Sequence, residues 1–290
     1  MVAPFNEKGV TMRIRITCLT NDSVGMEGFF WGEHGVSYLI ETGGRYLLFD
    51  TGSSWDVLHH NLQQLELNLN DISYVVLSHG HYDHTGGLMG VLSQARHPTI
   101  IADPLLFNRK VSRNSETGEM RETGIPHSRA QVEALADLHL TIEPVEVLPG
   151  VTVTGRIPRL TNFEPTPPYM LTDMKGRLEP DLLLDDRSMV VDLGDRLVLL
   201  SGCCHSGLIN TLLYVETMFG KPLATVAGGI HLNGAKPERI ERTIEALQTH
   251  FQPDLLYFNH CTGLEATAAL MNVFGERVKP FLVGTVLEYD

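Results

Sequence analysis

Residues 77–87 read Leu77-Ser78-His79-Gly80-His81-Tyr82-Asp83-His84-Thr85-Gly86-Gly87. Three histidines and one aspartate fall within six positions, directly after the apolar run Tyr74-Val75-Val76-Leu77. A run of that kind forms a buried strand. Imidazole and carboxylate are the ligand types that hold zinc, iron or manganese. A lone histidine is usually structural or exposed, and a His-rich tract can bind metal without a defined fold. Here a strand signal precedes the cluster and a Gly-Gly turn follows it. The stretch therefore reads as a metal site delivered by a strand end.

Working outward, Met12–Leu19 alternates as a strand, and Val36–Ile40 and Tyr46–Phe49 form a hairpin across residues 41–45. Trp55–Leu65 carries apolar residues at helical spacing, and Leu88–Ala95 reads as a helix just beyond the cluster. Thr99–Ala102 is a short strand. Residues 103–180 hold most of the prolines and read as a loop-rich insertion, of the sort that often serves as a lid or substrate-selecting wall. Ser188–Asp192 and Arg196–Leu200 form a second hairpin. Helices are expected at Leu208–Met218, Pro237–Thr249 and Glu265–Phe274, with strands at Leu223–Ala227, Leu255–Phe258 and Lys279–Leu287. The second half repeats the strand-then-helix order of the first. The expected fold class is α+β, two sheets face to face with helices outside, in one domain over residues 1–290.

Three later segments repeat the device of a strand that stops at small residues and a histidine: Gly202-Cys203-Cys204-His205, Gly228-Gly229-Ile230-His231 and Asn259-His260. Small neighbours let the backbone turn sharply and leave room around a ligand. If these strands end on one edge, His205, His231 and His260 converge with the main cluster.

The chain is 43% hydrophobic and 20% charged, ordinary for a globular protein, with a net charge of -13. That balance disfavours a polyanionic partner such as nucleic acid, which needs clustered cations. The first residues lack the apolar core of a signal peptide, Met12 could be the natural start, and no apolar stretch is long enough to span a bilayer. Cys18, Cys203, Cys204 and Cys261 are too few for a disulfide framework. The expectation is a reduced, cytoplasmic protein without nucleic-acid or membrane partners, acting on a small molecule. Cys203, Cys204 and Cys261 read as small packing residues, with thiolate ligation as the alternative.

The arrangement resembles the metallo-β-lactamase superfamily, whose H-x-H-x-D-H signature stands here as His79-Gly80-His81-Tyr82-Asp83-His84. The resemblance implies a four-layer αββα sandwich. It also implies one metal held by His79, His81 and His205 and a second by Asp83, His84 and His260. Asp50, in Phe49-Asp50-Thr51-Gly52, would support the ligand loop. The bridging aspartate of most two-metal members has no counterpart, because Asp254 is the only aspartate between Leu208 and Leu255 and lies too late. His231 occupies the expected place. One or two ions are therefore implied, zinc first, with iron or manganese as alternatives.

Residues 154–159, 163–164, 185–186, 202–207, 228–232, 260–263 and 33–37 further resemble a subgroup related to the archaeal dihydropterin–ribofuranosyl-aminobenzene-phosphate synthase.

A metal ion lowers the pKa of bound water to about 7. The leading expectation is a hydrolase of a small ester, lactone, amide or phosphoester acting through metal-bound hydroxide. Asp83 and His231 are the catalytic candidates, and His34, Arg156 and Arg159 the candidates for gripping an anionic group. The alternative is a synthase-like transferase, with Phe29, Phe30, Trp31 and Tyr169 as a possible aromatic slot. A mono-iron sulfur dioxygenase is a third reading. The diiron relatives place a glutamate where His81 stands, and a flavodoxin domain beside it, neither of which is present.

Overall fold

The central strands are apolar on consecutive residues because both of their faces are covered. In β3 (Arg45–Phe49), Leu47 and Phe49 enter one core and Leu48 another; in β14 (Leu197–Ser201), Val198 and Leu200 enter that first core and Leu197 and Leu199 a third. The computed structural model describes residues 13–26 and 28–290, so Met12 lies outside the described residues.

In chain order the remaining elements are β1 (Ile14–Thr20), β2 (Ser37–Thr42), α1 (Trp55–Gln64), β4 (Ile72–Val76), α2 (Tyr82–Thr85), α3 (Leu88–Gln94) and β5 (Thr99–Ala102). Then come β6 (Lys110–Arg113), β7 (Met120–Glu122), α4 (Arg129–Glu133), β8 (Asp137–Leu140), β9 (Val145–Leu148), β10 (Val151–Val153), β11 (Met170–Asp173) and β12 (Leu178–Pro180). The last group is β13 (Ser188–Asp192), α5 (Leu208–Phe219), β15 (Leu223–Gly228), α6 (Pro237–Ala246), β16 (Leu255–Phe258), α7 (Leu264–Phe274), β17 (Val278–Pro280) and β18 (Val286–Tyr289).

One seven-stranded sheet has the order β18-β1-β2-β3-β4-β5-β8, and a second the order β17-β16-β15-β14-β13-β10-β9. A core of Ile16, Tyr38, Phe49, Val76, Val153, Val191, Leu200 and their neighbours lies between them. Leu58, Leu62, Leu88 and Val91 of α1 and α3 cover the outer face of the first sheet. Leu208, Leu212, Val215, Ala266 and Leu270 of α5 and α7 cover that of the second. The layers are thus helix, sheet, sheet, helix: an α+β, four-layer αββα sandwich.

Within each sheet a parallel run, β3-β4-β5-β8 and β14-β15-β16-β17, points its strand ends the same way. Ligand crevices of α/β sheets form outside such carboxyl ends. Among the described residues no helix is long and apolar enough to cross a membrane.

Two expectations change. Residues 103–180, read as loop-rich, supply edge strand β8 to the first sheet, β10 and edge strand β9 to the second, and a third sheet, β12-β11-β6-β7. The strands of that third sheet are only three or four residues long, and β7 is wholly exposed, so no alternation marks it. The expected last strand over 279–287 is two strands on different sheets. Gly284, at φ 85°, turns the chain between them in a conformation that only glycine adopts freely.

Candidate metal centre

Five strand ends meet at one edge. β4 leads into His79–His84, β3 into Asp50, β14 into Gly202–His205, β15 into His231 and β16 into His260. Asp50, Cys204, His231 and His260 all have positive φ, between 47° and 60°. Such non-glycine backbone is held only where its surroundings over-determine it.

His79 Nε2 lies 2.9 Å from His81 Nδ1 and 3.2 Å from His205 Nε2. The proton of His79 is assigned by its other nitrogen. Nδ1 stands 2.9 Å from Ser78 Oγ, which donates its own proton to Asp50 Oδ2 at 2.7 Å. Ser78 Oγ therefore accepts from His79 Nδ1–H, and Nε2 presents a lone pair to the other two rings. Ligands about 2.0–2.1 Å from a tetrahedral zinc stand about 3.3 Å apart, close to these two separations; the donor atoms that all lie within 4.8 Å of one another are those of His79, Cys203 and His205, so His81 approaches His79 without closing on His205.

A second group adjoins the first. Asp83 Oδ2 is 3.6 Å from His84 Nε2 and 3.3 Å from His260 Nε2. His84 Nδ1 is 2.7 Å from Asp50 Oδ2, which fixes its proton there and aims the Nε2 lone pair inward. His260 Nδ1 is 2.7 Å from Asp22 Oδ1, whereas its buried Nε2 has no hydrogen-bond partner despite the nearby carboxylate. An unsatisfied buried nitrogen beside a carboxylate is costly unless a cation completes it. The donor set fits a divalent metal.

The electrostatics divide the same way. Burial, then the charges of His84, His81 and His205, holds His79 well below the usual imidazole range. Burial takes His81 down to about 3, with Asp83 opposing. Burial and then His231 lower His205 well below its ordinary value. These rings are neutral acceptors at pH 7. In the second group burial pulls His84 and His260 down, but carboxylates outweigh it. Asp50 and Asp83 bring His84 up on balance, and Asp22 and Asp83 bring His260 far up. Burial alone would raise Asp83, yet His84 and His260 hold it well below the carboxylate range.

A cavity of about 340 Å³ opens on these groups, lined by Asp83, His205, His231 and His260 and by Ser112, Arg121 and Tyr169 of the 103–180 segment. That segment is tied to the histidine loop. Gly80 N donates to Asp185 Oδ2 at 2.9 Å, Tyr82 N to Thr123 O at 3.0 Å, and buried Lys110 bridges Asp181 and Asp185 at 2.9 and 3.0 Å. His231 lies at the cavity wall with its ring 4.3 Å from that of His205 and its Nδ1 unpartnered.

His34 also lines the cavity, its Nδ1 2.9 Å from Asp22 Oδ2 and its Nε2 3.4 Å from Asp83 Oδ2. The two arginines are elsewhere. Arg156 makes a two-pronged pair with Asp103 at 2.8 and 3.0 Å, and Arg159 donates to the carbonyls of His205, Leu182 and Leu183. Neither lines the cavity. A buried acid and free carbonyls captured these guanidiniums, so Arg156 and Arg159 are corrected from anion-gripping candidates to ties within the fold. Phe29, Phe30 and Trp31 do not line it either. Phe29 is 82% exposed, Trp31 stacks on His60 and Phe30 packs against Gly284, leaving Tyr169 alone of the four at the cavity.

Asp22, Lys110 and Asp181 were missed in the sequence, and Asp185 was noted there only as part of a segment of the subgroup resemblance, with no role. Asp22 left a trace as a polar residue after a strand end, Thr20-Asn21-Asp22.

A family model described as the Metallo-beta-lactamase superfamily matches residues 31–155. The chain is 29% identical over 294 residues, 97% of it and 98% of the relative, to the 7,8-dihydropterin-6-methyl-4-(β-D-ribofuranosyl)-aminobenzene-5'-phosphate synthase of Methanocaldococcus jannaschii. An uncharacterized protein of the same organism is 31% identical over 242 residues, 83% of this chain and 88% of that one. The crystal structure of Tm1679, a metal-dependent hydrolase of the beta-lactamase superfamily, is 26% identical and superposes with a TM-score of 0.83 over 96% of this chain and 99% of that one.

Proposed function

The chain belongs to the metallo-β-lactamase superfamily, and on that premise we propose that it is a metal-dependent hydrolase of a small ester, lactone, amide or phosphoester. The observation that carries this reading is the approach of the His79 ring nitrogen to those of His81 and His205, two residues that line a cavity of about 340 Å³ together with Asp83 and His260. A divalent cation, zinc first, supplies Lewis acidity there and lowers the pKa of a bound water to about 7.

The chain's own residues do the rest. His79, His81 and His205 would hold one cation, and Asp83, His84 and His260 a second. Asp50 and Asp22 fix the tautomers of His84 and His260 from behind, as carboxylates behind metal-bound histidines do. Asp83 orients the attacking water and takes its proton. His231, whose Nδ1 is unpartnered at the wall, polarises the substrate or returns a proton to the leaving group. Ser112, Arg121 and Tyr169, which line the same cavity, contact the substrate.

Elemental analysis of protein purified without added metal, with turnover of a panel of esters, lactones and phosphodiesters, tests this. About two metals per chain and chelator-sensitive hydrolysis support it. A metal-free protein, or a loaded protein inert on the whole panel, overturns it. The 29% identity to the M. jannaschii synthase across nearly the whole chain supports a transferase as second reading. Product from a dihydropterin diphosphate and the aminobenzene phosphate, without any hydrolysable ester, would establish that reading instead.

A further inference from the structure

The two donor groups share a neighbour that neither reading uses. Cys203 Sγ lies 3.1 Å from His84 Nε2, the nitrogen whose lone pair Asp50 turns inward. It falls within 4.8 Å of the donor atoms of Asp83, His84 and His260, and likewise of those of His79 and His205. It is 3% exposed and lines the cavity. We propose that Cys203 is a metal ligand, its thiolate shared between the two cation positions where a bridging carboxylate is missing.

Three further observations bear on this. The sequence offers no aspartate at the bridging place, and His231, which stands there, groups with Cys203 and Cys261 rather than with the six other donors. The neighbouring cysteine behaves differently: Cys204 enters the helix-side core beside Leu208 and Leu212 and contacts Thr211 Oγ1 at 3.3 Å. The adjacent pair is therefore divided, one thiol packed and one facing the site. Gly202 makes the approach possible, because a Cβ there would meet Ser78 Oγ at 2.5 Å and Asp50 Oδ2 at 2.7 Å. His260 Nε2 belongs to the same close group of donor atoms as Cys203 Sγ.

On ligation the thiol proton leaves to solvent and the sulfur lone pairs form the metal bonds, with no change of oxidation state. Thiolate sulfur is a normal zinc ligand, at about 2.3 Å. The proposal rests on the metal centre above.

Zinc-loaded wild-type protein, X-ray absorption at the zinc edge and elemental analysis together test both. The expected result is a sulfur shell at about 2.3 Å beside nitrogen and oxygen at about 2.0–2.1 Å. Cys203→Ser should lose that shell and bind its weaker zinc about 10–100-fold less tightly, while Cys261→Ser keeps both. Circular dichroism establishes that each variant is folded, and the wild-type spectrum stands if one is not. Zinc bound through nitrogen and oxygen only overturns the thiolate and spares the metal centre. A sulfur shell that persists in Cys203→Ser, or disappears in Cys261→Ser alone, overturns the assignment to Cys203. Protein that binds no zinc overturns both proposals.

Discussion

Asp50→Asn probes the support behind the second donor group. Asp50 is fully buried, and its oxygens accept from Ser78 N and Ser78 Oγ and face His84 Nδ1, each at 2.7 Å. Asparagine keeps the shape but exchanges one acceptor for a two-donor amide. If its oxygen stays with Ser78 N–H, the amide faces His84 Nδ1, and His84 must move its proton to Nε2. The lone pair aimed at Asp83 and Cys203 is then lost. If the amide flips, it opposes the buried Ser78 N–H, leaving an unsatisfied donor worth about 1–3 kcal/mol. Removing such a supporting partner typically weakens metal affinity about 10–100-fold, which is about 1.4–2.7 kcal/mol. The loss should fall on the Asp83, His84 and His260 position, with the three-histidine position much less affected. Chelator-competition titration resolves the two steps in wild type and variant, with circular dichroism reporting the fold. Two unchanged steps, or weakening confined to the three-histidine step, would refute the reasoning.

His231→Asn should lower kcat by about 10²–10⁴-fold at constant metal content; a drop in bound metal instead would make His231 a ligand. Lys110→Met leaves Asp181 and Asp185 buried without their cation and should destabilise the fold by about 3–5 kcal/mol in urea unfolding. Arg156→Ala should leave KM unchanged, since its guanidinium is committed to Asp103; a raised KM for an anionic substrate would return it to the site. Metal-free protein should lose stability as pH falls below 6.5. There the unfolded His79, His81 and His205 take up protons that the native rings, with lowered pKa values, refuse. His84 and His260, with raised values, are protonated in both states below 6.5 and add no slope. The expected slope is about 1.4 kcal/mol per pH unit for each refusing histidine; urea midpoints flat between pH 6.5 and 5 would contradict it.

The sandwich was readable because its central strands are buried on both faces and so appear as unbroken apolar runs, such as Tyr46–Phe49 and Leu197–Leu200. The histidine loop was readable because its ligand-type residues are contiguous, and His205 and His260 because each follows a strand end. What escaped depends on distance along the chain. Lys110 meets its acids 71 and 75 residues away, and Asp22 meets His260 across 238. The charge of Arg156 was visible, but its commitment to Asp103, 53 residues away, was not. Cys203 and Cys204 are chemically identical in the sequence. Only the left-handed turn at Cys204 sends their side chains to different sides.

The strand β18 lies against β1, pairing Tyr289 with Ile14 and Val286 with Thr17. A chain made from its N-terminus exposes β1 long before β18, so this flank of β1 stays bare until β18 has been made. Throughout that interval the nascent sheet offers an open row of amides and carbonyls to any stray strand. Closing it requires a contact spanning 275 residues, the Arg13–Glu288 pair among them, and long-range closure of that kind is slow. The pairing order thus leaves β1 open to mispairing until β18 docks.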